Sequence, residues 1–485
     1  MGWGGSRTRG SAPVAKGHFG FQRVSRKALA GVKSAAAGRE PKEERATLRA
    51  PERWANERNP QARLVREEHE FSAVMRSAPR SFRLILLGLL GASLRAADPG
   101  TDFDALRARV LALGEMTDPP AWSAAEGFGA EGGLRPIFFD SVPWRGRPTR
   151  VFAWLGMPDG TGGKVPGVVL VHGGGGTAFK EWVTKWNLRG FAAISIATEG
   201  QTDRRAEGAP KGGSQWLRHP DGGPARDGIY VDSGEPLGDQ FMYHAVAATI
   251  RAHALLRSLP GVDASRIGVS GISWGGVITS TVIGIDPRFA FAVPIYGCGH
   301  LADAENQWGR ALGSNALYRE VWDPMVRIGR ATLPVLWLSW PGDQHFPLDC
   351  QAETYRAAPG ARMVSLIPGM RHSHPAGWNP PDGYAFAESV VREGRPWCAQ
   401  AGASRDGSRV TADFATARHL DAAVLVATTD RGFTGGRAWT ETPATLERDG
   451  ARWRASATLP AGATAWFFNV RSGELTVSSD LEVAR

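Results

Sequence analysis

Between residues 165 and 367 short apolar runs recur, separated by longer stretches with helical spacing. The runs lie at 167–171, 191–196, 266–270, 289–295, 334–338 and 362–367. Apolar runs this short predict strands buried on both faces. In "DQFMYHAVAATIRAHALLRSL", Met242, Val246, Ile250 and Leu256 fall near one face, which predicts a helix. Strands alternating with helices imply an α/β architecture: a mostly parallel sheet with helices on both faces. Upstream, "DFDALRARVLALGEM" has helical periodicity, and "RPTRVFAWLGMP" alternates as an exposed strand would. Beyond about residue 403 the helical spacing ends. "AAVLVATTD", "ATLERDGARWRASATLP" and "ATAWFFNVRSGELTVSSDLEV" read as short strands, with Asp449-Gly450 as a hairpin turn. They predict a small C-terminal all-β sandwich. One connection, residues 200–238, is rich in Gly, Pro and Asp without periodicity. Its length predicts a functional cover, with a plain surface excursion as the alternative.

Charge changes the picture only at the N-terminus. The net charge is +9, but residues 1–97 hold 19 Lys/Arg against 8 Asp/Glu, and the remaining residues come to −2. The part that folds is near neutral, which excludes nucleic acid as a partner class. "MRSAPRSFRLILLGLLGASLRAADPG", starting at Met75, has arginines, a short apolar run and small residues, the three regions of a secretory signal peptide. The run is too short for a stable membrane span. The expected organisation is therefore an extension at 1–74 that is non-native or disordered, a signal at 75–97, an α/β domain at 98–402 and the β-sandwich at 403–485. Export places the protein outside the cell or in a periplasm. Cys298, Cys350 and Cys398 allow at most one disulfide. No C-x-x-C or H-E-x-x-H spacing occurs, so neither a metal nor a cofactor is expected. Oligomeric state is not encoded legibly.

The chemistry-bearing stretch is "RIGVSGISWGG", where Ser273 sits between Gly271 and Gly275 at the end of a predicted strand. G-x-S-x-G at a strand-to-helix junction is the pattern of a nucleophile elbow. A serine needs a general base and donors for the oxyanion. "VVLVHGGGGTAF" is a strand ending in Gly173–Gly176, with no G-K-[ST] that a phosphate loop would need. It fits an oxyanion loop, with the Gly173 and Gly174 amides and the Trp274 amide as donors. "PVLWLSWPGDQHFPLD" runs into Asp343, preferred to Asp349 as the acid, and "RMVSLIPGMRHSHPAGW" into His372, preferred to His374 as the base. Ser, Asp and His then follow in chain order at C-terminal strand ends, where ligands bind in open α/β sheets. Of the 18 tryptophans, Trp182 and Trp186 follow the oxyanion loop and are candidates for stacking on a sugar substrate.

These motifs carry a resemblance. "HGGGGTAFKEWV", "GISWGGVITS", "IYGCG" and "MRHSH" make residues 100–400 resemble an α/β-hydrolase of the acetyl xylan esterase and prolyl-oligopeptidase-like (dienelactone-hydrolase-like) branches. The resemblance implies Ser273 as nucleophile, His372 as base, Asp343 as its partner, and Gly173, Gly174 and Trp274 around the oxyanion. It implies a serine esterase; together with the predicted signal, the expected function is a secreted serine esterase acting on small acyl esters, of carbohydrates such as acetylated xylan. The β tail resembles the C-terminal extension of some secreted bacterial relatives. Two features depart from that family: Trp274 stands where many acetyl xylan esterases have Gln, and the run of four glycines is unusual. A prolyl-oligopeptidase-type serine peptidase and a non-catalytic secreted binding protein are the alternatives.

Overall fold

The computed structural model describes residues 100–160, 162–209 and 215–483. The predicted extension and signal, residues 1–97, lie outside these. Among the described residues no helix is long and apolar enough to cross a membrane.

After helix α1 (Phe103–Leu111) come strands β1 (Trp122–Ala124), β2 (Arg135–Trp144), β3 (Arg147–Gly156) and β4 (Val165–Val171). Helix α2 (Lys180–Asn187) leads to β5 (Ala192–Ile196), and two short strands follow, β6 (Gln201–Arg205) and β7 (Trp216–Arg218). Helix α3 (Phe241–Ser258), strand β8 (Val262–Ile272), helix α4 (Trp274–Val282) and β9 (Ala292–Ile295) form the centre. Helix α5 (Gln307–Leu312), β10 (Val335–Ser339), α6 (Leu348–Ala357), β11 (Arg362–Leu366), α7 (His374–Trp378) and α8 (Asp382–Glu393) complete the unit.

Nine of these strands make one sheet in the order β1-β2-β3-β5-β4-β8-β9-β10-β11. From β5 to β11 every pairing is parallel, and β1, β2 and β3 join antiparallel at one side. Each apolar run in the sequence falls on a strand of the parallel part. Strands β5, β9 and β10 are buried at every position, as strands covered on both faces must be. The strand expected to be exposed, β3, is buried from Val151 to Gly156. It lies inside the sheet between β2 and β5, so both its faces and both its edges are covered.

The C-terminal strands are β12 (Ala399–Asp406), β13 (Arg409–Ala415), β14 (Ala422–Thr428), β15 (Thr440–Asp449), β16 (Arg452–Thr458), β17 (Ala465–Ser472), β18 (Leu475–Ser478) and β19 (Glu482–Val483). All pair antiparallel, and Gly450, at φ 59°, turns β15 into β16 as the Asp-Gly pair predicts. Antiparallel pairing starts at Ala399, four residues before the expected 403. The strands form one compact unit with the larger sheet. The reason lies at the edge strand β11, whose free backbone groups need partners. Ser478 Oγ accepts from the Leu366 N–H at 2.8 Å, and Asn469 Nδ2 donates to the Leu366 carbonyl at 2.8 Å. Ser365 Oγ donates to the Thr476 carbonyl at 2.8 Å, and Asp480 pairs with Arg356 and Arg362. The tail thus closes a sheet edge that would otherwise be open.

Candidate active site

Strand β8 passes into α4 through Ser273, whose backbone has φ 59° and ψ −117°. A non-glycine residue there is strained, and such strain persists only where the surroundings enforce it. The flanking glycines do so by close approach. A Cβ on Gly271 would collide with the Gly275 carbonyl, and one on Gly275 with the Val171 carbonyl. The elbow is therefore wedged between β4 and the first turn of α4, and the Ser273 side chain reaches a cavity.

Ser273 Oγ lies 2.8 Å from His372 Nε2, and His372 Nδ1 lies 2.8 Å from Asp343 Oδ2. Asp343 is fully buried, and its Oδ1 accepts from the His345 and Phe346 N–H groups, each at 2.9 Å. With Oδ1 so held, only Oδ2 faces the imidazole. The Tyr296 ring stands 4.3 Å from the His372 ring, and its hydroxyl donates to the Arg371 carbonyl at 2.7 Å. Asp349, the alternative acid, instead accepts from Thr434 Oγ1 of the C-terminal tail at 2.7 Å.

His374, the alternative base, has another partner: its Nε2 accepts from the Gly173 N–H at 2.9 Å. Burial, and then the neighbouring His372, lower its pKa to about 4, so it stays neutral with that lone pair free to accept. This corrects the expectation for Gly173, whose amide is already engaged and cannot face an oxyanion. Gly174 and Trp274 both line the cavity, and among the described residues neither amide has a protein acceptor. His172 holds the start of the glycine run. Its Nδ1 donates to the Gly173 carbonyl at 2.7 Å, and its Nε2 accepts from the Thr198 N–H at 3.0 Å. Burial takes its pKa down to about 3.

The cavity encloses about 350 Å³, and Trp274, Trp308, Phe346 and Ile229 supply its apolar walls. The Trp274 and Trp308 ring centroids are 5.1 Å apart. Trp182 and Trp186 are absent from it. They are 1% and 2% exposed on the inner face of α2, against Trp378, Tyr384 and Phe191. The expectation that they stack on substrate is therefore wrong: amphipathic α2 turns both indoles into the core. Of the other tryptophans, Trp308 does reach the cavity. The irregular 200–238 segment contributes Arg226 and Ile229 to the wall. Arg226, Ile229, His345 and Phe346 had no signal of their own in the sequence, although "HF" follows the Pro-Gly-Asp turn one residue on, after Gln344. All three cysteines are unpaired and buried.

A mostly parallel sheet, a strained serine at the end of β8, and an acid and a histidine after β10 and β11 make up the arrangement of the α/β-hydrolase fold. Residues 139–326 match the family model described as acetyl xylan esterase (AXE1). The match includes Ser273, Trp274 and the glycine run and stops short of Asp343 and His372. Among solved structures, the acetyl xylan esterase from Paenibacillus sp. R4 is similar at 22% identity, over 56% of this chain and 90% of that one, with a TM-score of 0.43. Acetyl xylan esterase 1 from Thermoanaerobacterium sp. JW/SL YS485 is similar at 19% identity, over 59% and 93%, with a TM-score of 0.44. The acylaminoacyl peptidase of Pyrococcus horikoshii is similar at 16% identity, over 51% and 39%, with a TM-score of 0.38. No curated protein sequence matches the chain.

Proposed function

We propose that this chain is an exported serine carboxylesterase that removes acetyl and other short acyl groups from small or carbohydrate esters, acetylated xylan among them. The reading is carried by the continuous 2.8 Å contacts from Ser273 through His372 to Asp343, opening on a cavity lined by the Gly174 and Trp274 amides, which have no acceptor among the described residues. Ser273 Oγ attacks the ester carbonyl and gives its proton to His372 Nε2. Asp343 Oδ2 stabilises the imidazolium formed. The Gly174 and Trp274 amides receive the oxyanion, Trp274 standing at the N-terminus of α4, where backbone N–H groups are free. His372 then protonates the leaving alcohol, and the acyl-enzyme is hydrolysed by a water that His372 deprotonates. No step needs a metal. The match to the acetyl xylan esterase family supports the ester class.

Trp274, Trp308 and Phe346 limit the room beside Ser273. Acetyl and propionyl p-nitrophenyl esters should therefore be cleaved faster than octanoyl or longer ones, and acetate should be released from acetylated xylan. Purified, folded protein that cleaves no acyl ester of any length would leave the secreted binding-protein reading in its place.

A further inference from the structure

Among the described residues, Arg226 is the one side chain of fixed charge in the cavity wall, and no carboxylate lines it. The guanidinium is held on three sides. Its carbon stands 4.7 Å from the Trp274 ring centroid, and Nη1 donates to the Gly228 carbonyl at 2.8 Å. Nε faces Glu199 Oε1 at 3.6 Å, which is beyond a hydrogen bond, and it is buried without an acceptor. Nη2 has no protein acceptor among the described residues. A Cβ on Gly174 would come within 2.9 Å of it, so this nitrogen lies against the glycine run beside the reacting serine. Glu199 also feels a second cation, Arg218, whose guanidinium donates to the Glu199 and Gly223 backbone carbonyls. The charges of two guanidiniums, Arg226 and Arg218, thus act on one carboxylate, while residues 98–485 as a whole come to −2. The positive character is local to this wall.

A rigid guanidinium with a free edge in an aromatic cavity is suited to an anionic oxygen group. We propose that Arg226 makes the site selective for esters that carry a carboxylate close to the scissile bond. This inference rests on the esterase reading above and names its substrate class. A neutral ester leaves Nη2 to water alone. A carboxylate within reach forms a charge-assisted hydrogen bond to it, against a cation already stacked in place by Trp274.

The carboxylate can belong to the acyl part or to the alcohol part, and two substrate pairs of similar size separate these. Monomethyl succinate against methyl butyrate places the charge on the acyl side. Acetoxyacetate against propyl acetate places it on the alcohol side. In at least one pair the wild-type protein should favour the anionic member by about 10- to 100-fold in kcat/KM, the range of a hydrogen bond to a charged group. The preference should shrink in 0.5 M NaCl. Arg226→Met, checked for folding by circular dichroism, should remove the preference mainly through KM, and Arg226→Lys should retain part of it. Neutral members cleaved as well as anionic ones in both pairs by the wild type would overturn the proposal. An equal loss of kcat on all four esters in Arg226→Met would also overturn it, by making Arg226 an oxyanion donor. If the wild type cleaves none of the four but does cleave p-nitrophenyl acetate, the carboxylate specificity fails alone. If it cleaves nothing, the esterase reading fails with it.

Discussion

Replacing Asp343 by Asn tests how the acid is held. Oδ1 accepts two backbone N–H groups, from His345 and Phe346, and Oδ2 faces His372 Nδ1. An asparagine must keep its carbonyl oxygen on those two donors, because the flipped amide would set an NH2 against two N–H groups. Its nitrogen then points at Nδ1, which becomes an acceptor. The imidazole proton moves to Nε2, the atom that must take the proton of Ser273. The base is thereby held in the wrong tautomer while all heavy atoms stay in place. A loss of ~10⁴ in kcat is expected, about 5.5 kcal/mol of barrier. The melting temperature should change little, since the two backbone bonds survive. Initial rates on p-nitrophenyl acetate, with Asp349→Asn as the control, read this directly. Asp349 bonds Thr434 of the tail, so its variant should lose stability rather than rate. An Asp343→Asn protein that keeps more than a tenth of wild-type kcat would refute the reasoning, as would the reverse ranking of the two variants.

The two neighbouring histidines should separate cleanly. His372→Ala should lose nearly all activity, whereas His374→Ala, which loses one hydrogen bond to Gly173, should slow the enzyme roughly tenfold or less. A loss in His374→Ala as large as that in His372→Ala would contradict its positioning role. Stability should fall on acidification. His172 is buried neutral with its pKa lowered to about 3, against about 6.5 when unfolded, so the unfolded chain binds the extra proton between these values. The contribution is fully present above about pH 6.5 and is lost as pH falls towards 3, by roughly 3–5 kcal/mol at most. Urea melts of the wild type and His172→Gln between pH 7 and 4 should show a weaker pH slope in the variant; identical slopes would count against it.

The parallel sheet was legible because its strands are short apolar runs of the kind only a doubly covered strand needs. That Ser273, Asp343 and His372 lie together was legible because each comes within a few residues of the end of such a run, so the C-terminal ends of the parallel strands collect them. The errors have a common source. Trp182 and Trp186 follow the glycine run 173–176 closely in chain order, but a helix face decides where a side chain points, and α2 turns them inward. The Gly173 amide was assigned without the knowledge that His374, 201 residues later, would engage it. β3 was read as exposed because its alternation is local, while its burial depends on which strands flank it. Arg226 arrives from a segment with no periodicity, so only the fold reveals that it meets Trp274.

The central claim is that Ser273 is a nucleophile activated by His372, and a fluorophosphonate probe measures this directly. The reagent phosphonylates an activated serine and leaves an adduct that peptide mass spectrometry can locate. The wild-type protein should carry one adduct, on Ser273, formed at a rate that acetyl ester substrates slow by competition. His372→Ala should label far more slowly, and Ser273→Ala not at all, although it folds as the wild type does. Contradiction would be an unlabelled Ser273 in protein that still hydrolyses acetyl esters, or an adduct on a different residue.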